Sequence, residues 1–364
     1  MPDALVIGGG IIGLLCAREL HRGGMHVEVL DRDQPGRQAS WASAGIVTPR
    51  IPASQSAGAR LNNLSVERWP VLAAELRDET GMDVEYRENG CLVPAFDADG
   101  ASRLRDEVPT LEAAGVPCRF LDGAALREAE PSLGPSVVAG QLLPGGNVEN
   151  RRATTATALA LGRAGVKVHA GALVTGILSR GGKAVGVRTP EGDRGADVVV
   201  LAAGSWSGRI PGADPPIPVV PQRGQILALQ APSTVRAVIL KEDDPYLVPR
   251  VDGRVIVGAT REFAGYDGSI TAGGVAWLLS SAIEMVPSFA GCPIADIWTG
   301  FRPVSADGLP IIGQSNVEGL YYCTGHGPSG VGPAPGSAAL LAALVLGKEP
   351  PIPAEAFSPR RFAR

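Results

Sequence analysis

The sequence predicts a mixed α/β protein. It has a βαβ dinucleotide fold on a parallel sheet, plus an interleaved α+β domain built on an antiparallel sheet. Three observations carry this. A branched apolar run, Ala4 to Ile7, stops at Gly8-Gly9-Gly10, then passes into helical periodicity up to Arg22 and a second run, His26 to Leu30. Two blocks, 81–145 and 219–297, alternate apolar and polar residues between turns. The stretches 146–218 and 298–364 return to helices and buried strands. The expected division is 1–80, 146–218 and 298–364 for the parallel-sheet domain, and 81–145 with 219–297 for the other.

The first domain opens with strand, glycine turn, helix and strand. Ile11, Ile12, Leu14, Leu15, Ala17 and Leu20 keep helical spacing, Gly23-Gly24 is a stop signal, and Asp31 closes the second strand. Residues 37–53 are small and polar, and a helix is expected over about 61–80. Strands are then expected at 84–86, 90–95, 118–121 and 137–143. A helix follows over 147–163, with Asn147 or Asn150 as cap. Strands at 166–169, 173–178, 185–188 and 196–203 are expected to join the first sheet. Strands at 224–229, 235–240, 246–249 and 254–258 extend the antiparallel block, with a helix over 272–285. The chain finishes with strands at 309–312 and 320–323, a glycine-rich turn, and a helix over 337–346.

Composition bounds the function. The 364 residues are 45% hydrophobic and 19% charged, enough for a large core in about two domains. Gly (48) and Pro (31) are abundant, which implies many tight turns. Aromatics are 5% and net charge is −4 with no like-charge block, so nucleic acid and an acidic membrane surface gain no support as partners. Five scattered cysteines contain no C-x-x-C pair, so no metal site is written here and free thiols in a reducing compartment are expected. The strongest apolar stretch, Ala338 to Leu346, is about half a membrane span, and no signal peptide is read. A cytoplasmic protein is expected.

Gly8-x-Gly10-x-x-Gly13 lies at the strand-to-helix turn, where the pattern has mechanical meaning. Gly8 permits the turn, Gly10 lets backbone N–H groups approach a pyrophosphate, and Gly13 lets helix and strand pack closely. The helix N-terminus favours phosphate. Asp31 stands where an acid can accept from ribose hydroxyls. This fingerprint leaves NAD and FAD open.

The segments PGRQASWASAG, VVVLAAGSWS, GFRPVSADGLPIIG and YYCTGHGPSG follow the glycine turn in order. In that order and spacing the chain resembles the D-amino-acid-oxidase-type FAD-dependent oxidoreductases, and most closely their glycine oxidase-like branch, over about residues 3–350. The resemblance implies a glutathione-reductase-like FAD domain and non-covalent FAD. It places Gly8, Gly10, Ile11, Ile12, Gly13, Asp31 and Arg32 on the ADP half. Ser40, Ala44, Gly45 and Ile46 would lie along the ribityl chain and ring, Val174 at the adenine, and Ala203-Gly204 near the diphosphate. Gly327, Ser329, Gly330 and Val331 would line the ring's other side. The implied reaction is oxidation of an amine at a carboxylate-bearing carbon, by hydride transfer from Cα to flavin N5, giving an imine that hydrolyses. The reduced flavin passes its electrons to O2, giving H2O2, or to another acceptor. The partners are a small amino acid or secondary amine such as glycine, sarcosine or a D-amino acid. A homo-oligomer is left open.

Arg302 in GFRP is the candidate carboxylate fork, with Tyr246 in PYLVPR as a second donor and with the ring beside Arg302. Both match carboxylate-binding positions of glycine oxidase-like sequences. Arg302 could instead serve a surface or helix-end ion pair, and Tyr246 could be a half-buried sheet tyrosine. Arg261 and His326 are the further substrate-side candidates. For them an exposed arginine and a histidine packed against the loop are the plainer readings. No general base is read. The loop Gly325–Gly330 lacks the arginine found in G-H-[YF]-R-N-G, and its GHGPSG form is closer to D-amino-acid and hydroxyproline dehydrogenase-like sequences. A dehydrogenase feeding a quinone or partner, or a flavin-binding subunit of a larger amine dehydrogenase, are the alternatives.

Overall fold

Four consecutive apolar residues with no polar alternation, Ala4–Ile7, belong in a strand covered on both faces. In the computed structural model, which describes residues 1–49, 56–232, 234–241 and 245–363, this strand (β1) is fully buried and central. It pairs in parallel with Val27–Leu30 (β2) on one side and Val198–Leu201 on the other. The six-stranded sheet runs Ile311–Gln314, Leu320–Thr324, Val198–Leu201, β1, β2, Lys167–His169. All its pairs are parallel except that of the edge strand Ile311–Gln314. The helix Ile11–Arg22 (α1) buries Leu14, Leu15 and Leu20 against this sheet and against helix Ala334–Val345. The latter starts three residues earlier than the pattern suggests, because Pro335 fits a first helical turn.

The second large sheet has eight strands, in the order Ile294–Ser305, Val219–Gln230, Arg254–Gly258, Tyr246–Pro249, Val238–Ile239, Cys91–Ala95, Ala139–Leu143, Arg119–Asp122. It is antiparallel apart from the pair Val238–Ile239 and Cys91–Ala95. Its two faces do different work. Leu227, Leu229, Leu247, Val255 and Val257 pack against helix Ala272–Met285, whereas Ile226, Ala228, Val248, Ile256 and Trp298 pack against Ala42 and Ala44 of the first lobe. The period-2 alternation of the strands decides this division.

Several expectations are corrected. Residues 84–86 form no strand; Glu85 takes a left-handed φ of 54°, which breaks extension, and a lone bridge joins Arg87 to Asn147. Helices Ala98–Ala113 and Gly123–Ala129 interrupt the antiparallel block. The first buries only Gly100 and Leu111 and contains Pro109, so it has no apolar stripe to read. The cap of helix Asn150–Arg163 is Glu149, whose carboxylate accepts from Arg152 N; Asn147 lies in a short strand, and Asn150 Nδ2 donates to the carbonyl of Ser40 (2.7 Å). Strands Gly176–Arg180, Lys183–Thr189 and Gly192–Gly195 make their own three-stranded sheet and do not join the first. The twelve-residue strand Ile294–Ser305 was not anticipated, since Gly300 and Pro303 interrupt its pattern; at a sheet edge Pro303 is tolerated. Residues 50–53 of the small polar stretch lie outside the described residues.

The lobes are fastened by Arg250, a buried side chain at the end of strand Tyr246–Pro249. It donates to Asn147 Oδ1 (3.2 Å), the Val148 carbonyl (2.9 Å), the Ala44 carbonyl (2.9 Å) and Asn150 Oδ1 (3.0 Å). Burial pushes its pKa down to about 10, so it remains a cation at neutral pH. Trp298 adds a second tie, its indole N–H donating to the Ala42 carbonyl (3.0 Å). Replacing Arg250 with Met strips these acceptors of their donors and is expected to lower the unfolding free energy by about 3 kcal/mol or more. Chemical denaturation measures it; a wild-type midpoint would mean the lobes are fastened elsewhere.

Candidate active site

Between the two lobes lies a cavity of about 870 Å³. One end is built where the central strands of the parallel sheet end, just past β1. Gly8 has a φ of 109°, and a Cβ there would lie 2.5 Å from the Ala202 carbonyl oxygen; at Gly13 a Cβ would lie 1.9 Å from the Gly8 carbonyl oxygen. Only glycine lets the turn close this tightly. Gly13 serves that packing and does not itself line the cavity, whereas Gly8, Gly10, Ile11 and Ile12 do. The Asp31 carboxylate accepts from Gly9 N (2.6 Å) and Asp33 N (2.9 Å), which anchors it beside the elbow. Burial raises its pKa, and those two N–H groups oppose the rise. Ser40 Oγ accepts from Ile11 N (2.9 Å). Arg32 stacks its guanidinium 3.7 Å from the centre of the Trp206 ring.

The same cavity is lined by Asp31, Arg32, Ser40, Ala44, Gly45, Ile46, Val174, Ala203 and Gly204, and further along by Gly327, Ser329, Gly330 and Val331. Every other candidate, Tyr246, Arg261, Arg302 and His326, lines it too. One continuous chamber therefore joins residues more than 300 positions apart in the chain.

Its far end is made by one face of the eight-stranded sheet. Register puts Gln222 opposite Arg302, Gly224 opposite Gly300, Ile226 opposite Gly258, and Gly258 opposite Tyr246. Directly opposed residues share a face, so Arg302 and Tyr246 point the same way. A Cβ on Gly224 would lie 2.6 Å from Arg302 Nη2, and one on Gly258 would lie 2.6 Å from the Tyr246 hydroxyl. The guanidinium and the phenol thus lie flat on two glycines. Each shifts the other's protonation equilibrium electrostatically. A guanidinium can only donate and so does not compete for the Tyr246 proton, and the phenol lines the chamber, where its O–H can donate. Burial raises the Tyr246 pKa, with Arg302 opposing, so the phenol stays protonated. Burial lowers that of Arg302, which Tyr246 opposes.

His326 is buried, with Nε2 3.0 Å from Ser337 Oγ. Ser337 spends its proton on the Pro333 carbonyl (2.8 Å), so His326 Nε2–H must be the donor. That geometry supports a role in holding the loop. Arg261 is exposed at the chamber wall. Reading the sequence missed Gly224, Gly258, Trp206 and Asn62, all at or beside the chamber. The first two carried a signal: a glycine inside a strand marks the close approach of another group.

The chamber fits a dinucleotide. Its volume is in the range of ligand sites, its elbow leaves no room for a Cβ, and a carboxylate stands at the end of β2. The DAO family, described as FAD dependent oxidoreductase, matches residues 3–344.

The chain belongs to this family.

It is 35% identical to glycine oxidase of Pseudomonas aeruginosa over 98% of both chains. It is 34% identical to the bifunctional protein ThiO/ThiG of Trichormus variabilis over 94% of its own length, and spans about half (52%) of that protein. Among solved structures, glycine oxidase from Geobacillus kaustophilus superposes with a TM-score of 0.92 at 29% identity, over 98% of each chain. The protein is therefore an FAD-dependent oxidoreductase with a dinucleotide-binding fold. No helix among the described residues is long and apolar enough to cross a membrane.

Two outcomes follow from the site. Gly224→Ala should displace the Arg302 guanidinium, a flexible end that can move, and so leave the fold intact. Steady-state kinetics should show kcat/KM falling about tenfold, ~1.4 kcal/mol, whereas unchanged kinetics would show that the guanidinium need not lie there. Asp31 gives a pH effect of defined sign. Its raised pKa means the ligand-free fold gains from protonating it, a contribution lost as pH rises. If Asp31 holds the FAD ribose, as the resemblance implies, the hydroxyls need the ionised acceptor, so FAD affinity runs the other way and weakens on acidification, from a higher pH than an ordinary aspartate would give. Flavin fluorescence titrated against pH checks this, and Asp31→Asn should remove that acid limb.

Proposed function

We propose that the protein oxidises a small amino acid or secondary amine at its carboxylate-bearing carbon, giving an imine that hydrolyses. Arg302 and Tyr246 hold the carboxylate. The observation that carries this is the guanidinium and the phenol lying side by side on one sheet face, in the cavity that begins at the glycine elbow. Bound FAD supplies the two-electron acceptor for the hydride that leaves Cα.

The chain's own contributions are positioning and charge. The guanidinium forks the carboxylate and the Tyr246 O–H donates a further bond, which fixes the carbon between them and the amine. The cations Arg302 and Arg261 in the wall favour the neutral amine, so the substrate nitrogen can shed its proton without a dedicated base. Among the described lining residues the one carboxylate, Asp31, stands at the elbow and not beside Arg302. Gly8, Gly10 and Asp31 are assigned to the ADP half of FAD, Ser40 to the ribityl chain and ring, and Gly327–Val331 to the ring side. There the turn leads into helix Ala334–Val345, whose N-terminal end favours negative charge. O2 as final acceptor, with H2O2 as product, is the reading favoured by the resemblance to glycine oxidases. The arginine-free loop Gly325–Gly330 favours a second reading, a dehydrogenase passing electrons to a quinone or partner.

Anaerobic mixing with glycine, sarcosine, D-alanine, D-proline and D-hydroxyproline should bleach the flavin band for at least one of them. Peroxide yield under air then separates oxidase from dehydrogenase. Arg302→Ala should raise KM for that substrate by about 2–4 kcal/mol in binding; an unchanged KM would remove Arg302 from the carboxylate.

A further inference from the structure

Arg302 is held from behind. Its Nη1 donates to the carbonyl of Thr260 (2.8 Å) and reaches that of Arg223 (3.4 Å). Arg223 and Thr260 turn their side chains to the opposite face of the sheet, away from Gly224, and there both meet Glu262. Glu262 Oε1 accepts from the Thr260 hydroxyl (2.6 Å) and from Gln225 Nε2 (2.8 Å). Its Oε2 accepts from Arg223 Nε (3.2 Å) and, more closely, from Arg223 Nη2. The backbones are locked as well, Arg223 N to Glu262 O at 2.8 Å and Glu262 N to Arg223 O at 3.0 Å. Gln225 in turn takes its own backbone bond from Thr260, its N–H donating to Oγ1 at 2.8 Å. Arg223, Gln225 and Thr260 are all buried. One carboxylate thus satisfies three buried side chains, and two of these belong to the residues whose carbonyls grip Arg302.

We propose that Glu262 is a positioning residue for carboxylate recognition: from the far face of the sheet it fixes the two peptide carbonyls that aim the Arg302 guanidinium into the chamber. This rests on the reading of Arg302 as the carboxylate fork. Glu262 touches neither substrate nor cofactor in this scheme. A carboxylate whose oxygens are fully engaged can define a geometry to fractions of an ångström, because each of its partners would be left with an unmet buried donor if it moved. Asp267, which also accepts from Arg223 Nη1 (2.9 Å), is exposed and reaches neither Thr260 nor Gln225, so it provides an internal control.

The test uses the flavin-loaded full chain, with acetate as an inert carboxylate whose binding is read from perturbation of the flavin absorbance. Glu262→Gln should weaken acetate about tenfold while flavin content holds. It should have no further effect in an Arg302→Ala background, since it acts through that side chain. Asp267→Asn should change acetate binding far less. Thr260→Val, which removes one of the Glu262 contacts, should act in the same direction, and keeps the test available if Glu262→Gln folds poorly. A loss with Arg302→Ala but none with Glu262→Gln or Thr260→Val overturns this inference alone. An equal loss from Glu262→Gln in both backgrounds overturns it too, by showing a general structural effect. Undiminished acetate binding in Arg302→Ala overturns the carboxylate-fork reading and this inference with it.

Discussion

The Arg250 guanidinium, shut between the two lobes, is the constraint on which the rest of the structure depends. It closes on backbone and amide oxygens from Ala44, Asn147, Val148 and Asn150. Ala44 lines the chamber, and Arg250 directly follows the strand that begins with Tyr246. The staple therefore sets how far the phenol stands from the glycine elbow. A buried cation is expensive unless every donor finds an oxygen. Here Nε has no partner among the described residues, so even this clamp is incompletely satisfied. Its position between the lobes accounts for the arrangement better than stability does.

Around the staple, small residues let the lobes approach. Ala42 and Ala44 meet the sheet face carrying Ile226, Ala228 and Trp298, and a Cβ on Gly300 would strike the Ala42 Cβ at 2.4 Å. The sheet is thus two-faced by construction. One side is apolar where it meets the first lobe and carries Arg302 and Tyr246 where it meets the cavity. The other side holds an apolar core against helix Ala272–Met285 and, toward its rim, the Arg223–Glu262 network. Alternation along a single strand, Val219–Gln230, serves all of these needs at once. A one-residue slip in its register would exchange them, so the site and the core enforce each other.

The elbow shows how little the chemistry asks of side chains at the dinucleotide end. Gly8, Gly10 and Gly13 contribute space and backbone, Asp31 contributes an acceptor, and α1 contributes its N-terminus. At the other end the demand is reversed, because a guanidinium and a phenol must be held flat and aimed. Glycines appear at both ends for one reason: something must come closer than a Cβ permits.

Local features were legible in the sequence. The elbow, β1, α1 and β2 follow from branched residues, glycines and spacing within 31 positions, and strands Tyr246–Pro249 and Arg254–Gly258 and helix Ala272–Met285 fall where their periodicity puts them. The resemblance extended that reading to Arg302 and Tyr246, which the fold brings into one cavity. Helix Ala98–Ala113 was not legible, because a helix that buries almost nothing writes no stripe. Strand Ile294–Ser305 was hidden by Gly300 and Pro303, residues that only its edge position and its contact with Ala42 explain. The roles of Arg250 and Glu262 were also out of reach, and the in-strand glycines Gly224 and Gly258 signalled a close approach without naming the group, since each role depends on partners brought close by strand register or by the meeting of two lobes. The sequence by itself determined what each segment can be, through local sterics and hydrophobic period. Only the tertiary structure decided which distant groups face one another, because that depends on how two sheets pack across a seam no local pattern encodes.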